Sequence, residues 1–169
     1  REVLVDPGTG FYTAEPKKRN LFRSTSMHNT VSVNQAEQNR FCSEKGLFSC
    51  VQDVRNPSLN LSVLTHGDVK ITGRHDGYKA RFGIEHERHW RISDGLNDIH
   101  IRDKIIGDGT ISGVAFFLLA GDLRRKEESH SVFETDWGEL TFLNADTIDV
   151  SACDYSPAYG VINEACLSR

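Results

Sequence analysis

The sequence predicts an all-β fold, an antiparallel β-sandwich of many short strands occupying residues 1–169 as a single domain. Three observations carry that expectation. Apolar and polar residues alternate with period two through most of the chain, which puts one side of each segment against a core. Turn formers recur between these segments: Pro7-Gly8, Asn56-Pro57, His66-Gly67-Asp68, Asp76-Gly77, Asp94-Gly95, Gly107-Asp108-Gly109, Gly121-Asp122 and Asp136-Trp137-Gly138. Such residues tolerate the backbone conformations that reverse a chain. Finally, no segment sustains a helical period over twelve or so residues.

Taken in order, Val3–Val5 reads as a short strand entering the turn at Asp6-Pro7-Gly8, and Val31–Val33 as the next. Between them Ser24–Asn29, and after them Asn34–Arg40, have room for a short turn at most. Leu59–Val63 and Val69–Ile71 alternate cleanly. Ile84–Ile92, the turn Ser93–Asn97 and Ile99–Ile106 predict a long central hairpin, with Ile111–Leu119 continuing the meander. Leu140–Phe142 is a later strand. Arg124–Ser129, with its mixed charges, reads as a solvated loop.

With 169 residues the chain is large enough to bury a full core without staples. Its composition, 38% hydrophobic and 26% charged with 14 Gly and 4 Pro, is that of an ordered globular domain rather than a disordered or collagenous one. A formal net charge of -4 argues against a nucleic-acid binder, so an anionic partner must be met by a local basic cluster. No apolar run approaches the length of about 18 residues that a membrane helix needs. The chain opens on Arg1 without an initiator Met and enters a strand at once, which predicts a piece of a longer polypeptide and leaves the lack of a signal sequence uninformative. Cys42, Cys50, Cys153 and Cys166 show no metal-binding spacing and are expected to be mostly buried thiols; a Cys42–Cys50 disulfide across a hairpin stays open.

The stretch from Val3 to Asn34 concentrates the chemistry. Asp6 ends a strand before Pro-Gly, where its carboxylate either closes a local turn on backbone N–H groups or points into a cleft. His28 precedes the next strand and is either a hydrogen-bonded structural residue or a ligand. The separation of the two is too long for a local metal motif and suits adjacent strands joined by an excursion. That excursion carries Lys17, Lys18, Arg19 and Arg23 against a single opposing Glu15. Arg19 and Arg23, interleaved with Asn20, Phe22, Ser24 and Thr25, suit planar carboxylates held by bidentate forks. Tyr12 stands at the front of the same loop, and a phenol beside cations is a candidate proton carrier.

Other constellations are excluded. His86-Glu87-Arg88-His89 is not a zinc-protease motif, since in a strand its two histidines face opposite ways. Nucleophile elbows and phosphate- or dinucleotide-cradling glycine motifs do not occur. Asn60-Leu61-Ser62 is a formal glycosylation sequon.

Four motifs together carry a resemblance: Val-Asp-Pro-Gly-Thr-Gly-Phe-Tyr (Val5–Tyr12), Arg-Asn-Leu-Phe-Arg-Ser-Thr-Ser-Met-His-Asn-Thr-Val (Arg19–Val31), His-Asp-Gly-Tyr (His75–Tyr78) and Tyr-Ser-Pro-Ala-Tyr-Gly (Tyr155–Gly160). They resemble the C-terminal part of heparinase II/III-like polysaccharide lyases, over Val3 to about Leu167. The resemblance implies an N-terminal α/α toroid domain elsewhere in the same chain, a β-sandwich here, and cleavage of an acidic, uronate-containing polysaccharide by β-elimination. It also implies that Asp6 and His28 are ligands of a structural metal, zinc or another divalent ion, with a further histidine ligand and the toroid's catalytic Asn, His and Tyr lying upstream. By the same resemblance the enzyme is periplasmic or secreted. Tyr12 is then a candidate for proton transfer, and Arg19 and Arg23 for binding the substrate carboxylate. Because a zinc site needs three or four protein ligands, the isolated chain is expected to bind metal weakly or not at all and to be catalytically silent. The rival reading is a non-catalytic carbohydrate-binding or structural sandwich.

Overall fold

The computed structural model describes residues 2–43 and 46–169. In chain order the elements are helix α1 (Pro16–Phe22), strands β1 (Val31–Val33), β2 (Ser58–Val63) and β3 (Val69–His75), helix α2 (Lys79–Phe82), then β4 (Glu85–Ile92), β5 (Ile99–Ile106), β6 (Gly113–Ala115), β7 (Phe117–Leu119), β8 (Arg124–Arg125), β9 (Val132–Thr135), β10 (Gly138–Thr141), β11 (Val150–Ala158) and β12 (Val161–Ser168). Every pair of these strands that hydrogen-bonds does so antiparallel. The all-β, antiparallel expectation is borne out, with α-helix among the described residues confined to two short segments.

The chain divides into two compact units. The first comprises Arg1–Glu37, Ser43–Phe48 and Gly113–Arg169; the second comprises Gln38–Cys42 and Ser49–Ser112. In the first, three small sheets of order β1-β6, β10-β9-β8 and β11-β12-β7 form. Val5, Leu118 and Ala165 make a buried cluster with Ala120, Cys153, Tyr155 and Leu167 packed against it. The segment Val3–Val5 joins the β7 edge through a bridge from Leu4 to Leu119 and the bonds Val5 N to Leu118 O and Ala120 N to Val3 O. It therefore does not pair with β1, as adjacency along an excursion had implied. Instead Asn29 ties the two together, its amide donating to Val5 O at 2.8 Å while its side-chain oxygen accepts from Leu118 N at 2.7 Å.

The second unit is a four-stranded meander, β2-β3-β4-β5. The hairpin anticipated from Ile84 to Ile106 is there, in unbroken register from Glu85↔Ile106 to Ile92↔Ile99. The continuation of the meander is not. Ile111–Leu119 leaves this sheet, and its strands β6 and β7 pair with β1 and β12 in the first unit. Period two reveals that a segment is a strand but not which strand it meets.

Three smaller expectations are corrected. Helix α1 was missed because its seven residues are too few to show a period; it starts with Pro16 in the first turn, where a missing N–H costs nothing, and buries only Phe22. All four cysteines are free thiols and none is fully buried. The open Cys42–Cys50 bridge is not formed: both are exposed free thiols, and it is Phe41 that stands opposite Cys50. Arg124-Arg125 is a short exposed strand rather than a loop, with the Arg125 guanidinium 4.8 Å from the Phe133 ring centre and bonded to Ile148 O at 2.9 Å.

Candidate functional site

The site is built on the turn after Val5. Pro7 O accepts from Ser156 N at 2.8 Å, and Gly10 O accepts from Gly160 N at 3.2 Å, so the loop Asp6–Tyr12 lies along the β11–β12 hairpin. Gly8 makes this approach feasible. It has φ +65, and a Cβ there would fall 2.0 Å from Ser156 O, so no other residue fits without displacing the loop or the hairpin. Glu2, Leu4, Asp6, Gly8, Tyr155 and Ser156 line an open depression beside it.

Asp6 performs both roles weighed from the sequence. Its Oδ1 accepts from Gly8 N at 2.9 Å, closing an Asx turn, and its Oδ2 lies 3.0 Å from His28 Nδ1. The turn leaves the other oxygen directed at the histidine. His28 follows a 3-10 turn at Thr25–Met27, extended at φ -104 and ψ 156, and its position is set by the neighbouring Asn29 clamp. The pair is open to solvent, with side-chain exposures of 71% for Asp6 and 39% for His28.

Helix α1 positions the basic residues. Arg19 lies in its last turn and Arg23 at its C-cap, four residues apart and hence on one side. Arg19 Nη1 donates to Thr9 Oγ1 at 3.0 Å, and Arg23 Nε donates to Asn20 Oδ1 at 3.0 Å. Lys18 pairs with Glu15 at 3.1 Å and lies 4.9 Å from the Phe11 ring centre. Tyr12 is stacked on Tyr159, with centroids 5.0 Å apart and planes at 20°, and the Arg19 guanidinium lies 5.9 Å from its ring. Within the first unit the five residues singled out from the sequence thus form one run of loop and helix: Asp6 contacts His28, and Tyr12 contacts Arg19. Arg23 joins the second pair through the backbone, its N–H donating to Arg19 O at 3.3 Å.

The second unit holds a different polar constellation, which the sequence reading passed over. His75, His86, Arg88 and Asp103 share one face of the sheet through the registers His75↔His86 and Arg88↔Asp103. Gly77 N donates to His75 Nδ1 at 3.3 Å, which assigns the His75 proton to Nε2 and lets it donate to His86 Nδ1 at 3.2 Å. His86 Nε2 then donates to Asp103 Oδ1 at 2.7 Å, and Arg88 holds both oxygens of the same carboxylate at 2.7 Å. Burial, the neighbouring His86 and, in opposition, Asp76 together bring the His75 pKa down to about 4. Burial opposes ionisation of Asp103, but hydrogen bonds from His86 and Arg88 outweigh it and hold the carboxyl below its ordinary range. The Gln38 side-chain amide lies 3.1 Å from His75 Nε2 as well, so the cluster is bonded from several sides within the chain and reads as structural. The His-Asp-Gly-Tyr motif was the signal for it, with Tyr78 fully buried and 5.7 Å from the His75 ring.

The family model described as heparinase II/III-like, C-terminal, matches residues 1–167. The chain belongs to the heparinase II/III-like C-terminal family. Two solved structures of a heparinase III gene product share its fold. One, at 20% identity and TM-score 0.71, matches 98% of this chain; the other, with methylated lysines, matches 99% at 18% identity and TM-score 0.75. In both cases the chain spans 25% of the solved protein's length. No match to a curated protein was found.

Asp6 and His28 are the two residues expected from the sequence to meet a metal. Their donor atoms are of the oxygen and nitrogen types zinc takes, and at 3.0 Å apart they are close enough to turn onto one ion. Among the described residues, however, no group of three or more His, Cys, Asp or Glu side chains converges. Among the described residues the pair offers two donors where a stable tetrahedral site takes three or four.

Proposed function

We propose that this chain is the C-terminal domain of a polysaccharide lyase that cleaves a uronate-containing polysaccharide by β-elimination. The observation that supports it is the family match across residues 1–167, beside which the basic loop and the Asp6–His28 pair offer a chemically suitable surface. In such a reaction a base removes the C5 proton, the C4–O bond breaks, a C4–C5 double bond forms, and the leaving oxygen takes a proton. The developing charge rests on the uronate carboxylate, which cations and hydrogen-bond donors must stabilise.

In this reading Arg19 and Arg23 stabilise that carboxylate, and the Tyr12 phenol assists proton transfer at the sugar. Asp6 and His28 hold part of a structural divalent metal, zinc by donor type, whose remaining ligands come from another part of the polypeptide. When bound, the metal fixes the geometry of the loop beside the cleft. The partner domain is an N-terminal α/α toroid that supplies the other wall and further catalytic groups. The setting is periplasmic or secreted.

The test is the ultraviolet absorbance of the unsaturated product, followed with the full-length protein and metal on a panel of polyuronates and glycosaminoglycans. Absorbance growing on one of them is expected. No growth on any would refute the lyase and leave a carbohydrate-binding or structural module.

A further inference from the structure

Three exposed aromatic rings meet at the front of the Asp6–Tyr12 loop, and they arrive from three separate parts of the sequence. Tyr12 comes from the loop and Tyr159 from the tip of the β11–β12 hairpin, where Gly160 at φ +75 turns the chain and its N–H bonds Gly10 O. Phe48, from the Ser43–Phe48 segment of the same unit, has its ring 6.0 Å from Tyr12. The exposures are 47%, 66% and 67% for Tyr12, Tyr159 and Phe48. Aromatic side chains normally dominate buried cores and interfaces, and three left open to water, two of them packed on the third, form a patch that awaits a ligand.

The chemistry of the patch selects the ligand. Tyr12 and Tyr159 are stacked, with planes at 20°, so each ring covers one face of the other and the stack offers its outer apolar faces, with a hydroxyl on each ring. The Arg19 guanidinium lies 5.9 Å from the Tyr12 ring and 5.6 Å from that of Phe48, and Thr9 anchors one of its nitrogens. Its Nε is buried without a hydrogen-bond partner among the described residues. A fixed cation packed beside exposed aromatic rings fits a sugar ring with an apolar face and an equatorial carboxylate. The chain's formal net charge of -4 makes this a local preference, not a general affinity for polyanions.

We propose that the aromatic cluster of Tyr12, Tyr159 and Phe48 is a stacking platform that takes one hexuronate ring of an acidic oligosaccharide against an outer ring face, with Arg19 holding its carboxylate. The substrate class rests on the lyase reading above; the platform itself rests on the contacts just described. Tyr159 and Phe48 are positioning residues: they fix the sugar plane against the loop that carries Tyr12.

The experiment titrates the 169-residue chain, followed by nuclear magnetic resonance of its aromatic rings, with four probes: tetragalacturonate, a heparan sulfate tetrasaccharide, neutral cellotetraose and a short oligothymidylate. One of the two acidic saccharides is expected to bind best and to shift the Tyr12 and Tyr159 ring signals, a readout on the unaltered chain. Tyr159→Ala and Phe48→Ala should each weaken binding about 5-fold, the scale of one aromatic contact, while Tyr159→Phe binds as the parent does. Arg19→Gln should abolish the preference for acidic over neutral saccharide. Millimolar probes that leave those rings unshifted, equal or tighter binding of cellotetraose or oligothymidylate, or alanine variants that bind unchanged would each overturn the proposal. Its fate is separable from that of the lyase reading. Full-length protein silent on all polyuronates, with acidic saccharides still shifting the rings, removes the activity and keeps the platform. An active lyase whose KM is unchanged by Tyr159→Ala removes the platform and keeps the activity.

Discussion

Each unit contains one Asp–His pair, and the two behave as opposites. Asp103 and His86 approach to 2.7 Å with side-chain exposures of 20% and 4%, while Asp6 and His28 approach to 3.0 Å with exposures of 71% and 39%. In the buried pair, Arg88 binds both oxygens of the carboxylate and His75 meets the other nitrogen of the imidazole, so each of these atoms already has a partner within the chain. In the open pair, the only further bond to the carboxylate among the described residues is the Asx turn to Gly8 N. Residue type alone does not separate a structural cluster from a site. What separates them is whether burial has forced every polar atom to find a partner within the chain.

The sharpest way to break this comparison is to remove the buried carboxylate. Asp103→Ala leaves Arg88, 9% exposed, without its counter-charge. A loss of about 3–5 kcal/mol is expected, the range for one partner deleted from a buried ion pair. Trp90 lies on β4 in the second unit and Trp137 in the first, so urea unfolding in Trp137→Phe and Trp90→Phe backgrounds reads the units separately. The Trp90 transition should move to lower urea. An unmoved Trp90 transition would show that the network is not what holds the sheet.

The second effect is a dependence on pH. Unfolded His75 titrates near 6.5 and folded His75 at about 4. Between those values the unfolded chain binds the additional proton, so the contribution of the neutral ring is intact above about 6.5 and is lost as the pH falls toward 4. The whole contribution is on the order of 3 kcal/mol. A protonated His75 would set an N–H against Gly77 N–H, which is why burial and geometry agree on the sign. Urea midpoints for Trp90 measured from pH 7.5 to 4.5 should fall in the parent and flatten in His75→Gln. A parallel fall in both would assign the dependence to other groups.

Much of the second unit was legible because period two persists without a break from Ile84 to Ile92 and resumes at Ile99. The position of His86 and His89 on opposite faces followed from the same rule: His86 meets Asp103, whereas His89 meets Glu87 and Thr72. The network was not legible, since it depends on which residues of β3 and β5 the register sets beside His86. In the first unit the motif residues Asp6 and His28 were recognisable, and their contact depends on Asn29, which binds Val5 and Leu118 at once. Phe48 and Tyr159 carried no sequence signal, because the contacts that bring them to Tyr12 are non-local.

The open site depends on its loop, and Gly8 tests that directly. Gly8→Ala must hold φ +65 with a Cβ 2.0 Å from Ser156 O, so the backbone has to shift. A loss of about 2 kcal/mol is expected, combining a left-handed conformation with a backbone clash. It should appear in the Trp137 transition and not in that of Trp90. Acidic saccharide binding should weaken with it, because the shift moves Tyr12 away from Tyr159. An undisturbed Trp137 midpoint would mean that the loop is not braced by the hairpin.

The smallest effect belongs to the open pair itself. A double-mutant cycle of Asp6→Ala and His28→Ala in the 169-residue chain should give a coupling below about 1 kcal/mol, as solvent-exposed pairs do. The same substitutions in the full-length protein should act differently, with His28→Ala lowering both bound zinc and thermal stability. Metal analysis by mass spectrometry and thermal unfolding with and without a chelator make the comparison. A ligand pair contributes in proportion to what it binds, so a weak coupling here alongside a strong one in the longer protein is the signature of donors completed from elsewhere. Unchanged zinc in full-length His28→Ala would place the metal at other residues. Coupling of several kcal/mol in the short chain would instead make Asp6–His28 a structural pair like Asp103–His86, and erase the contrast between the two units.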